Sequence, residues 1–206
     1  MNDRKRNTTA LVLNTAVIAF ELYALSYTFF FASGSFDISA FQFYTNDSNI
    51  VALFASVFYV VSSLSGKGRE NASRIRFIAQ AGLTLTFLVV LCILIPLEPE
   101  SAEHLLLERA FFFEHLACPV ISFVSFVFFE ESSLSRRDVI LALLPTALYG
   151  IVIVVLNLLG TVDGPYPFLR IREQSPLMSA FWFLLILCSD CLVAGVLLFL
   201  SKKRQR

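Results

Sequence analysis

Six long apolar runs alternate with short polar segments along the chain, at about 9–32, 46–64, 75–96, 111–130, 138–160 and 179–200. Crossing about 30 Å of hydrocarbon takes roughly 20 apolar residues at 1.5 Å each, so every run is long enough to span a bilayer as an α-helix. The pattern predicts an all-α integral membrane protein, a single polytopic domain of six transmembrane helices. The first run follows Arg4-Lys5-Arg6 and ends near Ala32-Ser33-Gly34, which resembles a signal cleavage site. A signal peptide has an apolar region of about 7–15 residues. This run is longer and carries Glu21, so it reads as a retained span.

The polar segments set an orientation. Arg4, Lys5, Arg6, Lys67, Arg69, Arg74, Arg76, Arg136, Arg137, Lys202, Lys203, Arg204 and Arg206 fall on one side of a six-span layout. Only Arg109, Arg170 and Arg172 fall on the other. The positive-inside rule then puts both termini in the cytoplasm. The opposite face carries loops at about 33–45, 97–110 and 161–178. The second is acidic, with Glu98, Glu100, Glu103 and Glu108. The third holds Pro165-Tyr166-Pro167-Phe168 behind Gly164, a rigid turn whose aromatics sit at the interface or fold over the bundle mouth.

Composition agrees with the pattern. Of 206 residues, 57% are apolar and 16% charged, with a mean hydropathy of +0.73. Basic and acidic residues cancel, so no global field favours nucleic acid. Cys92, Cys118, Cys188 and Cys191 all fall inside apolar runs rather than in loops, which argues against a disulfide framework and for packing.

Few residues inside or beside these runs carry chemistry. Thr45 precedes the second run, where a threonine is a preferred helix N-cap. A helix N-terminus also offers free N–H groups and partial positive charge to an oxyanion. Both readings stand on the residues alone. Ser48 and Asn49 share the face of Thr45 by helical spacing. His115 lies roughly 6 Å below the end of the fourth span, and Pro119 predicts a kink beside it. It reads either as interhelical hydrogen-bonding glue or as a functional group facing the interior. His104 reads as a solvated surface residue. Glu21 and Asp190 lie near mid-membrane, and Glu21 is roughly 16 Å deep, too deep for direct contact with His115. Glu114 points about 100° away from its neighbour His115 and is a poor orienter. Cys118 is an alternative nucleophile in an apolar setting that keeps thiols inert. The spacing of these groups supplies no metal-ligand set.

Three patches together carry a resemblance: Phe43-Tyr44-Thr45-x-x-Ser48-Asn49, His115-x-x-x-Pro119 and Pro165-Tyr166-Pro167-Phe168. The set resembles a bacterial six-span membrane family and, more distantly, the androgen-induced and androgen-dependent membrane hydrolases of animals. Those enzymes cleave fatty acid esters of hydroxy fatty acids with a threonine and a histidine. The resemblance implies Thr45 as nucleophile and His115 as general base, a lipid or fatty-acyl ester substrate, and no cofactor or metal. Backbone N–H groups of the second helix and the Asn49 amide would hold the oxyanion, with Ser48, Asn46 and Tyr166 as further contacts. Arg170 or Arg172 would receive a free carboxylate, and Glu21 and Asp190 would be supporting acids. It also implies a bacterial plasma membrane, with the site near the outer leaflet. The competing classes are a proton-coupled transporter using Glu21, Asp190 and His115, and a non-catalytic scaffold.

Overall fold

The computed structural model describes residues 3–131 and 133–205. Arg206, counted above among the basic residues, lies outside them. Six helices are long and apolar enough to cross a membrane: α1 (Arg4–Phe31), α2 (Tyr44–Ser65), α3 (Arg69–Leu97), α5 (Arg109–Phe129), α6 (Arg136–Leu158) and α7 (Pro176–Arg204). A short helix, α4 (Ala102–Leu107), joins α3 to α5. No strand occurs among the described residues. The chain is an all-α, multi-pass integral membrane protein. Each expected span lies within a few residues of an observed one, and the helices mostly run further into the polar flanks. A helix satisfies its own backbone groups, so it continues to where water takes over.

The turns have local causes. Between α2 and α3, Gly66 and Gly68 both take φ of 72°, and Gly66 closes α2 by donating its N–H to the Ser62 carbonyl. At the start of α6, Ser135 and Asp138 form a reciprocal capping box. The start of α1 and the end of α7 lie at one end of the bundle. Arg6 pairs with Glu131 there, and Arg204 donates to the carbonyls of Phe126 and Val127.

α3 is the central helix and touches α2, α5, α6 and α7. Its buried face includes Ala72, Ser73, Ala79, Ala81 and Gly82, small residues that let neighbouring backbones approach. α1 contributes a seam of fully buried residues at Ala10, Asn14, Val17, Glu21 and Ala24, spaced by three or four. Phe54, Leu148, Leu184, Leu192 and Phe199 stand more than half exposed on the outside, as a lipid-facing belt requires. Cys188 and Cys191 belong to this exposed surface and Cys92 is exposed as well; only Cys118 packs inside. The packing role expected of all four therefore holds for one.

Ahead of Pro119, where a kink is expected, the helix changes its hydrogen-bond pattern. Phe113–Ala117 is a π-helical turn, and the Cys118 N–H donates to the Phe113 carbonyl five residues back. The same device precedes Pro96, where Val90–Leu94 is π-helical and the Ile95 N–H donates to the Val90 carbonyl. Each proline lacks a donor, and its ring crowds the preceding turn. One wide turn absorbs both effects. It also sets which face of α5 carries His115.

Arg76 departs from the sequence reading. It was counted with the loop cations, but it lies in the second turn of α3 and is fully buried. Its guanidinium bonds both carboxylate oxygens of Glu130, at 2.9–3.1 Å, and also meets Ser56 and Ser122. Asn14 and Ser125 donate to the same carboxylate at 2.9 and 2.8 Å. A charge that the sequence places near water is held instead by a counter-charge and four side chains drawn from α1, α2 and α5.

Candidate functional site

The site forms at the end of the bundle away from the termini. Phe43 is the N-cap of α2 and makes no side-chain cap bond, so Thr45 lies inside the first turn rather than ahead of it. Its hydroxyl is therefore free of the capping duty expected of it. It faces His115 Nε2 at 3.3 Å and the Tyr166 hydroxyl at 3.4 Å. All three residues are buried.

The hydrogen bonds fix a consistent direction. His115 Nδ1 lies 2.8 Å from the Leu105 carbonyl of α4, which only accepts, so Nδ1 carries the ring proton. Nε2 is then a free acceptor aimed at the Thr45 hydroxyl. The Thr45 oxygen keeps lone pairs to accept from Tyr166. The Thr45 backbone N–H, a first-turn donor without an intrahelical partner, donates to the Tyr166 oxygen at 3.3 Å. Burial pushes the Tyr166 phenol above its usual pKa, opposed by its hydrogen bonds to Thr45, so it stays un-ionised and able to donate.

The loop carrying Tyr166 folds over the bundle mouth. Tyr166 stacks on Phe168 at 5.2 Å, Phe168 meets Trp182 of α7, and Phe43 meets the Tyr166 edge. Gly164 makes the turn possible. It takes φ of 85°, and a Cβ there would stand 2.6 Å from the Leu169 carbonyl oxygen. Arg170, at the exposed end of this loop, stays accessible from outside.

Other expected residues serve the frame. Asn49 turns its amide to the carbonyls of Thr45 at 2.7 Å and Glu114 at 3.3 Å, which ties α2 to α5 beside the Thr45–His115 contact. Ser48 bonds the Thr45 carbonyl and the Thr86 hydroxyl. Asn46 donates to the Ala40 carbonyl and pins the preceding loop. Glu114 accepts from Thr28 and turns away from His115, as its helical angle predicts. Cys118 is fully buried beside Glu21, on the α1 side of α5. Glu21 and Asp190 are fully buried, and their carboxyl oxygens have no hydrogen-bond partner among the described residues. Neither reaches His115. His104 is exposed, as expected, and pairs with Glu108. Among the described residues no three His, Cys, Asp or Glu side chains gather as a ligand set.

Sequence reasoning missed the Leu105 carbonyl, because a backbone acceptor leaves no mark in side-chain identity. It also gave no role to Tyr44, which it holds only as part of a motif, and passed over Tyr149. Their rings meet at 5.1 Å, with Tyr44 bonded to the Thr146 hydroxyl and Tyr149 to the Gln42 carbonyl. The cavity between Thr45, these tyrosines, Phe168 and Trp182 has about 50 Å³ of room, the share of one or two waters. Comparison with family models, with curated proteins and with solved structures returns no match.

Proposed function

We propose that this protein is an intramembrane ester hydrolase with Thr45 as nucleophile and His115 as general base. One observation carries the reading. A buried threonine hydroxyl faces the unprotonated nitrogen of a histidine whose other nitrogen is held by a carbonyl. This is a nucleophile, a base and an orienting group in sequence, with a backbone carbonyl in the orienting role. At 3.3 Å the contact is long, as such contacts often are before substrate binds.

In the first step His115 Nε2 takes the Thr45 hydroxyl proton as the oxygen attacks the ester carbonyl carbon. The Thr45 N–H and the Tyr166 O–H are the donors placed to receive the developing oxyanion. The tetrahedral intermediate collapses, the alcohol leaves with the proton held on His115, and an acyl-threonine remains. Water, deprotonated by His115, then attacks the acyl carbonyl and restores Thr45, releasing the acid. The surrounding helices and Phe168 suit a fatty-acyl ester. The resemblance narrows this to fatty acid esters of hydroxy fatty acids, with Arg170 meeting the free carboxylate, in a bacterial plasma membrane with the site near the outer leaflet. The small cavity requires the Pro165–Phe168 loop or the Tyr44–Tyr149 pair to move before such a chain can bind.

The test is fluorophosphonate labelling of purified, folded protein in detergent. Wild type should label, and Thr45→Ala and His115→Ala should not. Labelling that survives Thr45→Ala sinks the assignment of the nucleophile. A proton-coupled carrier is the second reading, favoured by the buried, unpartnered carboxyls of Glu21 and Asp190. It requires proton flux that fails in Glu21→Gln and Asp190→Asn and survives in Thr45→Ala.

A further inference from the structure

Beside the Thr45 cavity lies a much larger space that the proposed chemistry does not use. A cleft of about 700 Å³ opens between α2, α3 and α6. That is within the range of roughly 300–1,000 Å³ typical of small-molecule sites. Its two ends differ in character. Ser39, Gln42 and Asp47 line the end near the loops, while Val51, Ile78 and Val152 line the deeper part. Leu148 and Val152 also belong to the exposed apolar surface of α6, so the cleft opens sideways into the hydrocarbon.

Among the described residues, Asp47 is the only Asp, Glu, Lys, Arg or His side chain lining this cleft. It is half-buried, and among the described residues no hydrogen bond or ion pair engages its carboxylate. It sits about 5 Å below the start of α2. The buried acids Glu21, Glu114, Glu130 and Asp190 lie inside the bundle and Asp138 is held in the capping box and by Arg74 at the start of α6, whereas Asp47 faces open space beside an apolar groove. A lone carboxylate in a low-dielectric setting gains most from a cation brought to it, and no cation among the described residues lines the space.

We propose that the cleft binds a single-chain amphiphile with a protonated amine head. The head lies against Asp47, and the alkyl chain runs down between Val51, Ile78 and Val152. The charge picks the occupant: an anionic amphiphile would meet repulsion, and a neutral one would leave the carboxylate unpaired. This site stands independently of the chemistry at Thr45. Tyr44 and Tyr149 line both spaces and form a wall between them.

The test uses full-length protein in phosphatidylcholine nanodiscs at neutral pH. Three diazirine-bearing probes of one chain length, a primary amine, an alcohol and a carboxylate, are crosslinked and mapped by peptide mass spectrometry. The amine should label peptides of α2, α3 and α6 saturably, about tenfold more tightly than the alcohol, with the carboxylate weakest. Asp47→Asn should bring amine and alcohol within about twofold of each other. Val152→Trp, which fills the cleft from a lipid-facing position, should weaken both. Asp163→Asn, at an exposed loop, should change neither. Equal binding of amine and alcohol to wild type overturns the proposal, and that comparison needs no variant to fold. An amine preference that persists in Asp47→Asn, or saturable labelling confined to peptides other than these three helices and the cleft-lining loops at 38–42 and 161–162, overturns it as well.

Discussion

Removing the Glu130 carboxylate tests whether the interior is organised by the ion pair it makes with Arg76. Both side chains are essentially inaccessible, at 1% and 0% exposure. Glu130→Ala leaves a guanidinium inside the bundle with Ser56 and Ser122 as its remaining partners among the described residues, and deprives Asn14 and Ser125 of their shared acceptor. Breaking a buried pair by deleting one partner costs about 3–5 kcal/mol. For a chain of about 200 residues each kcal/mol moves the midpoint by roughly 2–4 °C, so the loss should be about 6–20 °C. The assay is the temperature at which detergent-solubilised protein loses monodispersity on size exclusion. Arg76→Met should cost a similar amount. The double variant Arg76→Met/Glu130→Met should recover at least about 2 kcal/mol relative to the sum of the singles, because no uncompensated charge remains. Additive losses would refute the pairing as the organising contact, whatever the distances show.

Two further outcomes follow from the loop over the site. Tyr166→Phe keeps the ring stack on Phe168 but removes the hydroxyl that meets the Thr45 N–H and Oγ1. Ester hydrolysis or fluorophosphonate labelling should fall about 10²-fold while stability changes by only about 1 kcal/mol; unchanged labelling would remove Tyr166 from the oxyanion role. Gly164→Ala forces a Cβ to 2.6 Å from the Leu169 carbonyl oxygen at a φ of 85°. It should cost about 1–3 kcal/mol and speed proteolysis of the 161–175 loop, whereas wild-type protection would show that the loop tolerates the strain.

The hydrophobic pattern by itself determined the fold class and the six spans. A bilayer admits only one solution for a run of about 20 apolar residues, a helix that satisfies its own backbone. Thr45 and His115 were also legible as candidates, because polar groups at span ends are few. Their meeting was not. It depends on the π-helical turn that rotates His115, on the Asn49 amide that ties α2 to α5, and on α4 delivering the Leu105 carbonyl. The Pro165–Phe168 loop was equally open in sequence, and only burial of Tyr166 and Phe168 against Phe43 and Trp182 turned it inward. Arg76 marks the limit most clearly. Counting charges assigns it to a loop, since hydropathy scores each residue alone. Its place inside the bundle is set by Glu130, 54 residues away, and the two become neighbours only when α3 and α5 pack side by side.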